Sequence, residues 1–128
     1  MIRVLCVDDT AMLADALRQV VDMTDGMCCV GVLHSADRLA DEAEASAADV
    51  VLLDLRMPGR DPLDALAELA ERRPETRVIV FSGLLDDATV DRAVAAGAWG
   101  CLEKAVDAAP ILDAIRVVAG GETVFPSV

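Results

Sequence analysis

The chain has 128 residues, 55% of them apolar but only 2% aromatic, and a formal net charge of −12. That length suits one domain with a proper core, which Val, Leu, Ala and Ile must build because rings are scarce. The charge argues against a nucleic-acid surface, which needs clustered Lys and Arg, and would repel an anionic membrane. No apolar run reaches the ~18 residues of a membrane span. No charged segment precedes a long apolar stretch, so no signal peptide is expected and the cytoplasm is the expected location. Cys6, Cys28, Cys29 and Cys101 lie inside apolar runs and not at metal spacing, which reads as free thiols.

Short β-branched runs alternate with helical stretches, predicting a parallel sheet with crossover helices. The first strand falls near 2–7 and the first helix near 10–23, capped by Asp9 or Thr10. A second strand near 28–33 ends before His34, the only histidine, which reads as an ordinary loop residue away from the acidic cluster. The second helix is expected over 35–47 with Ser35 as its cap, then a strand over 49–54. The third helix, 62–73, opens on Asp61-Pro62. A strand over 77–82 leads to a helix over 86–96, capped by Asp86 or Asp87 and stopped by Gly97. The last strand covers 99–103, and the last helix covers 107–119, opened by Asp107 or Ala108. Ile111, Leu112, Ile115 and Val118 supply its apolar stripe, and Gly120-Gly121 stop it. Five β-α units predict a flavodoxin-like doubly wound α/β fold, with strand order 2-1-3-4-5 and five helices. The domain is expected over 1–121, with 122–128 a tail lacking a partner element, or the start of a linker.

Four apolar runs stop on polar residues that phosphoryl chemistry can use. The first stops on Asp8-Asp9, the third on Asp54, the fourth on Ser82 and the fifth on Lys104, the only lysine beside ten arginines. In a parallel sheet these groups meet at the carboxyl edge, where open α/β sheets bind ligands. Asp8, Asp9 and Asp54 are hard oxygen donors of the kind Mg²⁺ prefers. Like charges a few ångströms apart repel by roughly 4 kcal/mol at an effective dielectric of ~20, so the cluster asks for a cation. Singly, Asp9 could be a helix cap, Ser82 a turn residue and Lys104 a solvated charge; convergence is what gives them a shared chemistry. A carboxylate can act as a phosphoryl nucleophile, with Lys104 and a metal neutralising the equatorial oxygens and Ser82 donating a hydrogen bond. Gly83 leaves room for the group to enter.

Val7-Asp8-Asp9, Leu52-Leu53-Asp54-Leu55-Arg56-Met57-Pro58-Gly59, Ser82-Gly83 and Gly97-Ala98-Trp99-Gly100-Cys101-Leu102-Glu103-Lys104 together resemble the receiver domain of two-component response regulators. The likeness covers nearly the whole chain. It implies that Asp54 is the phosphoacceptor and that Asp8, Asp9, Asp54 and the backbone carbonyl of Arg56 hold Mg²⁺. Ser82 would be the switch hydroxyl and Lys104 the phosphate-binding lysine. The donor would be a histidine kinase, a phosphotransfer protein or a small acyl phosphate. The Gly97-Ala98-x-Gly pattern and Ala119-Gly120-Gly121-Glu122 are similar to the NarL/LuxR type, which implies a C-terminal DNA-binding output domain outside these residues.

The chain departs from the family pattern in three respects. Cys101 stands where an aromatic switch residue is usual; Trp99, two residues earlier, is expected on the same strand face and near the surface, on the face formed by the fourth helix, the fifth strand and the fifth helix. Ala105 replaces the usual cis-proline, so a trans peptide is expected. Arg56 and Leu84 fill the variable places that tune phosphoryl lifetime. A homodimer through the first and fifth helices is expected from apolar Met12, Leu13 and Val117. Three rival functions make demands on the same residues. A haloacid-dehalogenase-like phosphatase wants Asp-x-Asp after its first strand and a larger domain. A flavin module wants a Ser/Thr/Gly-rich loop there, and a pseudo-receiver would serve only as a binding surface.

Overall fold

The computed structural model describes residues 1–104 and 107–126. Elements run in chain order as β1 (Ile2–Val7), α1 (Ala11–Asp22), β2 (Met27–Leu33), α2 (Leu39–Ser46) and β3 (Val50–Asp54). They continue as α3 (Pro62–Arg72), β4 (Arg77–Ser82), α4 (Asp87–Ala96), β5 (Gly100–Glu103) and α5 (Ala109–Ala119). The five strands form one parallel sheet in the order β2-β1-β3-β4-β5, as the alternating pattern predicts. Ala105, with its expected trans peptide, lies outside the described residues.

Strand alternation divides the core in two. Leu5, Val7, Val51, Leu53, Val78 and Val80 face α2, α3 and α4, where they meet Leu39, Leu66, Leu69 and Ala93. Val4, Cys6, Val50, Leu52, Ile79 and Phe81 face α1 and α5, where they meet Leu17, Val21, Ile111, Ile115 and Val118. Both faces of the central strands are covered, so these strands read as continuous apolar runs. Each buried Leu or Ile contributes roughly 1.5–3 kcal/mol of transfer free energy.

Helix starts follow local chemistry where a side chain can reach. Asp61 accepts the Leu63 N–H (2.9 Å) before Pro62, and Asp86 accepts the Thr89 N–H (2.7 Å). Gly97 stops α4 at φ 111, and an added Cβ there would lie 2.8 Å from the Ala70 methyl. The second helix departs from expectation. It begins at Leu39, not near Ser35, because Ser35-Ala36-Asp37 is diverted into a turn. The Asp37 carboxylate accepts the Arg60 N–H (2.8 Å), tying this turn to the β3–α3 loop.

Two expectations near the chain's end are corrected. Val124, in the stretch expected to have no partner, bridges to Gly100: its N–H donates to Trp99 O (3.0 Å) and its carbonyl accepts from Cys101 (2.9 Å). Gly100 permits this, since a Cβ there would lie 3.0 Å from the Val124 oxygen. Phe125 packs on the α2–α4 side of the core. Trp99 and Cys101 face opposite cores, because Trp99 precedes the first residue of β5 and its ring is drawn over Arg77 (4.6 Å to the centroid). The Arg77 guanidinium in turn donates to the carbonyls of Val118 and Ala119 (both 3.1 Å) at the end of α5. Trp99 therefore sits at the amino edge of the sheet, beside α5 as expected but on the opposite side of the sheet from Cys101.

Candidate functional site

Asp8, Asp54, Ser82 and Lys104 each close or follow a strand, and the sheet gathers them at its carboxyl edge. Register sets their spacing. Asp54 lies opposite Phe81, and Ser82 lies opposite Glu103, just before Lys104. The Lys104 N–H donates to the Ser82 carbonyl (2.7 Å), fixing the end of β5 against β4. The Lys104 ammonium then reaches both buried carboxylates, 3.2 Å from Asp54 Oδ2 and 3.4 Å from Asp8 Oδ2. Its path crosses the Phe81 ring, 5.7 Å from the centroid.

Backbone amides hold the other carboxylate oxygens. Asp8 Oδ1 accepts the Thr10 N–H (2.9 Å), and Asp54 Oδ1 accepts the Arg56 N–H (3.0 Å). Thr10 occupies the cap position of α1, but its hydroxyl makes no capping bond. Asp8 and Asp54 are 1% and 2% exposed, whereas Asp9 is open to solvent. Burial pushes the Asp54 carboxyl above its usual range; the Arg56 amide opposes this, the Asp8 charge adds to it, and Lys104 opposes it.

The donor set fits a hard divalent cation. One oxygen from each of Asp8, Asp9 and Asp54 lies within 4.8 Å of the others. Asp8 Oδ2 is buried and makes no hydrogen bond, leaving it only the Lys104 ammonium. A buried charge so placed is costly unless a cation joins it. The exposed Asp9 side leaves a wet approach, which suits an ion that keeps several waters. Arg56, expected to offer its carbonyl, lies in the loop directly after β3.

Ser82 is buried, and its hydroxyl donates to the Leu84 carbonyl (3.2 Å). Beyond it a cleft opens between Leu55, Arg56, Leu84, Thr89 and Arg92. Cys101 is 1% exposed and packed in the α2–α4 core, so no large side chain occupies that position.

The sequence reading misplaced His34. Its Nδ1 lies 3.1 Å from the Asp8 carbonyl oxygen, next to the acidic cluster. The signal was available in the strand order, because β2 neighbours β1 and their ends must abut; Asp8 N–H donates to Leu33 O (2.9 Å). Asp37 was missed as well: it meets the Gly59-Arg60 turn, its hydrogen-bond partner Arg60 lying 23 residues along the chain, with no local pattern joining them.

Comparison with known proteins places this geometry in a family. The model of the response regulator receiver domain matches residues 4–116. The nitrate/nitrite response regulator NarL of Escherichia coli K12 is 33% identical over 122 residues, covering 95% of this chain and 56% of the relative. The response regulator GacA of Pseudomonas viridiflava is 33% identical, covering 95% of this chain and 57% of its own. The chain thus spans little more than half the length of these relatives. Among solved structures, the receiver domain of a putative NarL from Mycobacterium tuberculosis superposes with a TM-score of 0.88 at 28% identity, covering 94% of this chain and 98% of its own. The response regulator domain of Thermotoga maritima CheB gives 0.86 at 28% identity, covering 95% and 98%. With four strand ends delivering two buried carboxylates, a hydroxyl and a lysine to one edge, and a family model spanning all of them, the chain belongs to the receiver domains of two-component response regulators.

Proposed function

We propose that the domain is a phosphoacceptor switch, modified on Asp54 and dependent on Mg²⁺. What carries this reading is Asp54 itself: a buried carboxylate ending the central strand, one oxygen held by an amide and the other facing an ammonium. An Asp54 oxygen attacks phosphorus, and the P–N bond of a phosphohistidine or the P–O bond of an acyl phosphate breaks, its electron pair leaving with the donor. Lys104 follows the phosphoryl oxygens as charge develops there, and the Ser82 hydroxyl exchanges Leu84 O for a phosphoryl oxygen. Asp8, Asp9, Asp54 and the Arg56 carbonyl would hold Mg²⁺, which when bound supplies further neutralisation of those oxygens. The domain accepts and loses its own phosphoryl group and turns over no separate substrate.

Because Cys101 offers no aromatic ring to draw inward, the response runs through Ser82, the loop after it and α4. That helix buries only Ala93, against four residues in each of α3 and α5, so it is the element held least firmly. The donor is a histidine kinase or phosphotransfer protein in the cytoplasm. Among the described residues no helix is long and apolar enough to cross a membrane. The output is a C-terminal DNA-binding domain, and the receiver runs through Phe125 before its linker begins. A second copy docks on the shallow groove of Leu13, Leu17, Phe81 and Ile111 between α1 and α5, beside exposed Met12 and half-buried Val117.

Intact-mass measurement with Mg²⁺ and acetyl phosphate tests the assignment. One phosphoryl group should appear on the wild type and none on Asp54→Asn, and chelator should suppress the first. Equal labelling of both proteins would refute Asp54. Full labelling with no change in α4 would favour a receiver that takes the phosphoryl group but has lost its conformational relay, whereas no labelling at all would favour the pseudo-receiver.

A further inference from the structure

The turn before α2 and the loop after β3 meet at one carboxylate, although Asp37 and Arg60 are 23 residues apart. Asp37 is exposed to solvent, and its Oδ1 accepts the Arg60 N–H (2.8 Å). The same oxygen leaves no room for a side chain at residue 59, where a Cβ would stand 2.6 Å from it. Gly59 answers both demands, since it lacks that atom and takes up φ 93, a left-handed backbone that other residues adopt only with strain. On the other side, the Asp37 N–H donates to the Ser35 hydroxyl (3.4 Å), and Ala36 between them is fully buried. An anchored turn therefore presents the carboxylate, and α2 starts late to make room for it.

The loop it reaches has little else to hold it. Pro58 offers no N–H. Among the described residues, the backbone amides from 56 to 60 that find an acceptor are the two at the ends: Arg56 donates to Asp54 Oδ1 (3.0 Å) and Arg60 to Asp37 Oδ1. Both acceptors are carboxylates, and neither is a backbone carbonyl. Leu55 and Met57 lie partly buried against the core, and the Arg60 guanidinium is paired with Glu68. The peptide units between the two carboxylates, that of Arg56 included, are thus set in place by Asp54 at one end and Asp37 at the other.

We propose that Asp37 is a positioning residue of the acidic site and gives it selectivity for Mg²⁺ over larger divalent cations. This role rests on the metal set proposed above, in which the Arg56 carbonyl joins Asp8, Asp9 and Asp54. Mg²⁺ demands near-octahedral oxygens at about 2.0–2.1 Å, whereas Ca²⁺ accepts roughly six to eight at about 2.3–2.6 Å in flexible geometry. Asp8 and Asp54 are buried and each held by a backbone amide, so they do not swing to enlarge the site. Asp9 is exposed and adjusts to either ion. The loop decides the rest. While it is clamped, a larger ion must displace it; once it is released, Mg²⁺ loses a pre-placed ligand and Ca²⁺ gains room. Charge alone acts differently. The Asp37 carboxylate attracts both divalent ions alike, so losing only its charge lowers both affinities in proportion and leaves their ratio unchanged.

Calorimetric titration of the full chain with MgCl₂ and with CaCl₂, at one ionic strength, tests this, after thermal melts in chelator have shown each variant folded. The wild type should bind Mg²⁺ more tightly than Ca²⁺. Asp37→Ala should lose about ten-fold in Mg²⁺ affinity, the usual effect of removing a group that orients a ligand. Its Ca²⁺ affinity should stay within about two-fold, so the ratio falls about five-fold. Asp37→Asn, which keeps the Oδ1 acceptor without the charge, should retain the wild-type ratio. Gly59→Ala, which pushes the loop off the same oxygen with the charge intact, should lower the ratio as Asp37→Ala does. An unchanged ratio in Asp37→Ala or Gly59→Ala, or a ratio that falls equally in Asp37→Asn, would overturn the role of Asp37 and leave the metal site standing. So would a wild type that holds Ca²⁺ as tightly as Mg²⁺. A wild type that binds neither ion would refute the metal set itself, and this role with it.

Discussion

At the residue scale, Asp8, Asp54 and Lys104 form a charge arrangement that is balanced only in part. Two buried carboxylates share one ammonium that is itself 26% exposed. Removing the lysine leaves both charges uncompensated. Lys104→Ala should therefore lose roughly 1–3 kcal/mol in chelator, less than a fully buried pair would cost because solvent reaches the ammonium. Urea midpoints with and without Mg²⁺ check this, and the ion should recover much of the loss. Asp54→Asn should do the reverse. Its carboxyl is raised by burial first. Below the ordinary value of 3.8, folded and unfolded chains both hold the proton. As pH climbs through the raised folded value, the unfolded chain has already released it, so the metal-free protein loses stability. Asp54→Asn in chelator should thus gain on the order of 1 kcal/mol at pH 7, with the gain shrinking as pH approaches 4. A constant gain across that range would show that titration is not its cause.

At the element scale, the loop after β3 is held from outside. Gly59 lies at φ 93, and an added Cβ would lie 2.6 Å from Asp37 Oδ1, the same oxygen that accepts Arg60 N–H. Gly59→Ala meets both a left-handed backbone and a carboxylate, so a cost of about 1–3 kcal/mol is expected. Asp37→Ala alone should cost less but loosen the loop that carries Arg56 and Met57, read as faster amide exchange over 55–60. Amide exchange should also be faster in α4 than in α3 or α5, since Ala93 is its one fully buried residue, with Val90 and Ala96 only partly buried against the core. Equal protection of the three helices would remove the physical basis for placing the switch there.

At the scale of the whole molecule, the tail and the last helix close the amino edge of the sheet. Val124 extends β5, Phe125 enters the core, and Arg77 ties Trp99 to the end of α5. A chain ending at Gly121 should lose roughly 1–3 kcal/mol, the worth of one partly buried ring and two backbone hydrogen bonds, measured by thermal melts. Trp99 fluorescence should change on that truncation but stay constant when beryllofluoride loads the acidic site, because the indole sits at the opposite edge of the sheet.

The sequence by itself determined the layered fold and the membership of the site. Continuous apolar runs, Asp61-Pro62, Asp86 and Gly97 act locally, so they can be read along the chain. Strand ends declare Asp8, Asp54, Ser82 and Lys104 because a parallel sheet must bring every strand's carboxyl end to one edge. Relations between segments distant in sequence were decided only by the tertiary structure. His34 meets Asp8 because β2 abuts β1, and α2 starts late because Asp37 is engaged by Gly59-Arg60. Trp99 leaves the face that strand alternation gave it because Arg77 offers a cation, and the tail pairs because Gly100 has no side chain to prevent it. Local propensity is written in neighbouring residues, whereas charge pairing and close approach depend on which surfaces the fold brings together.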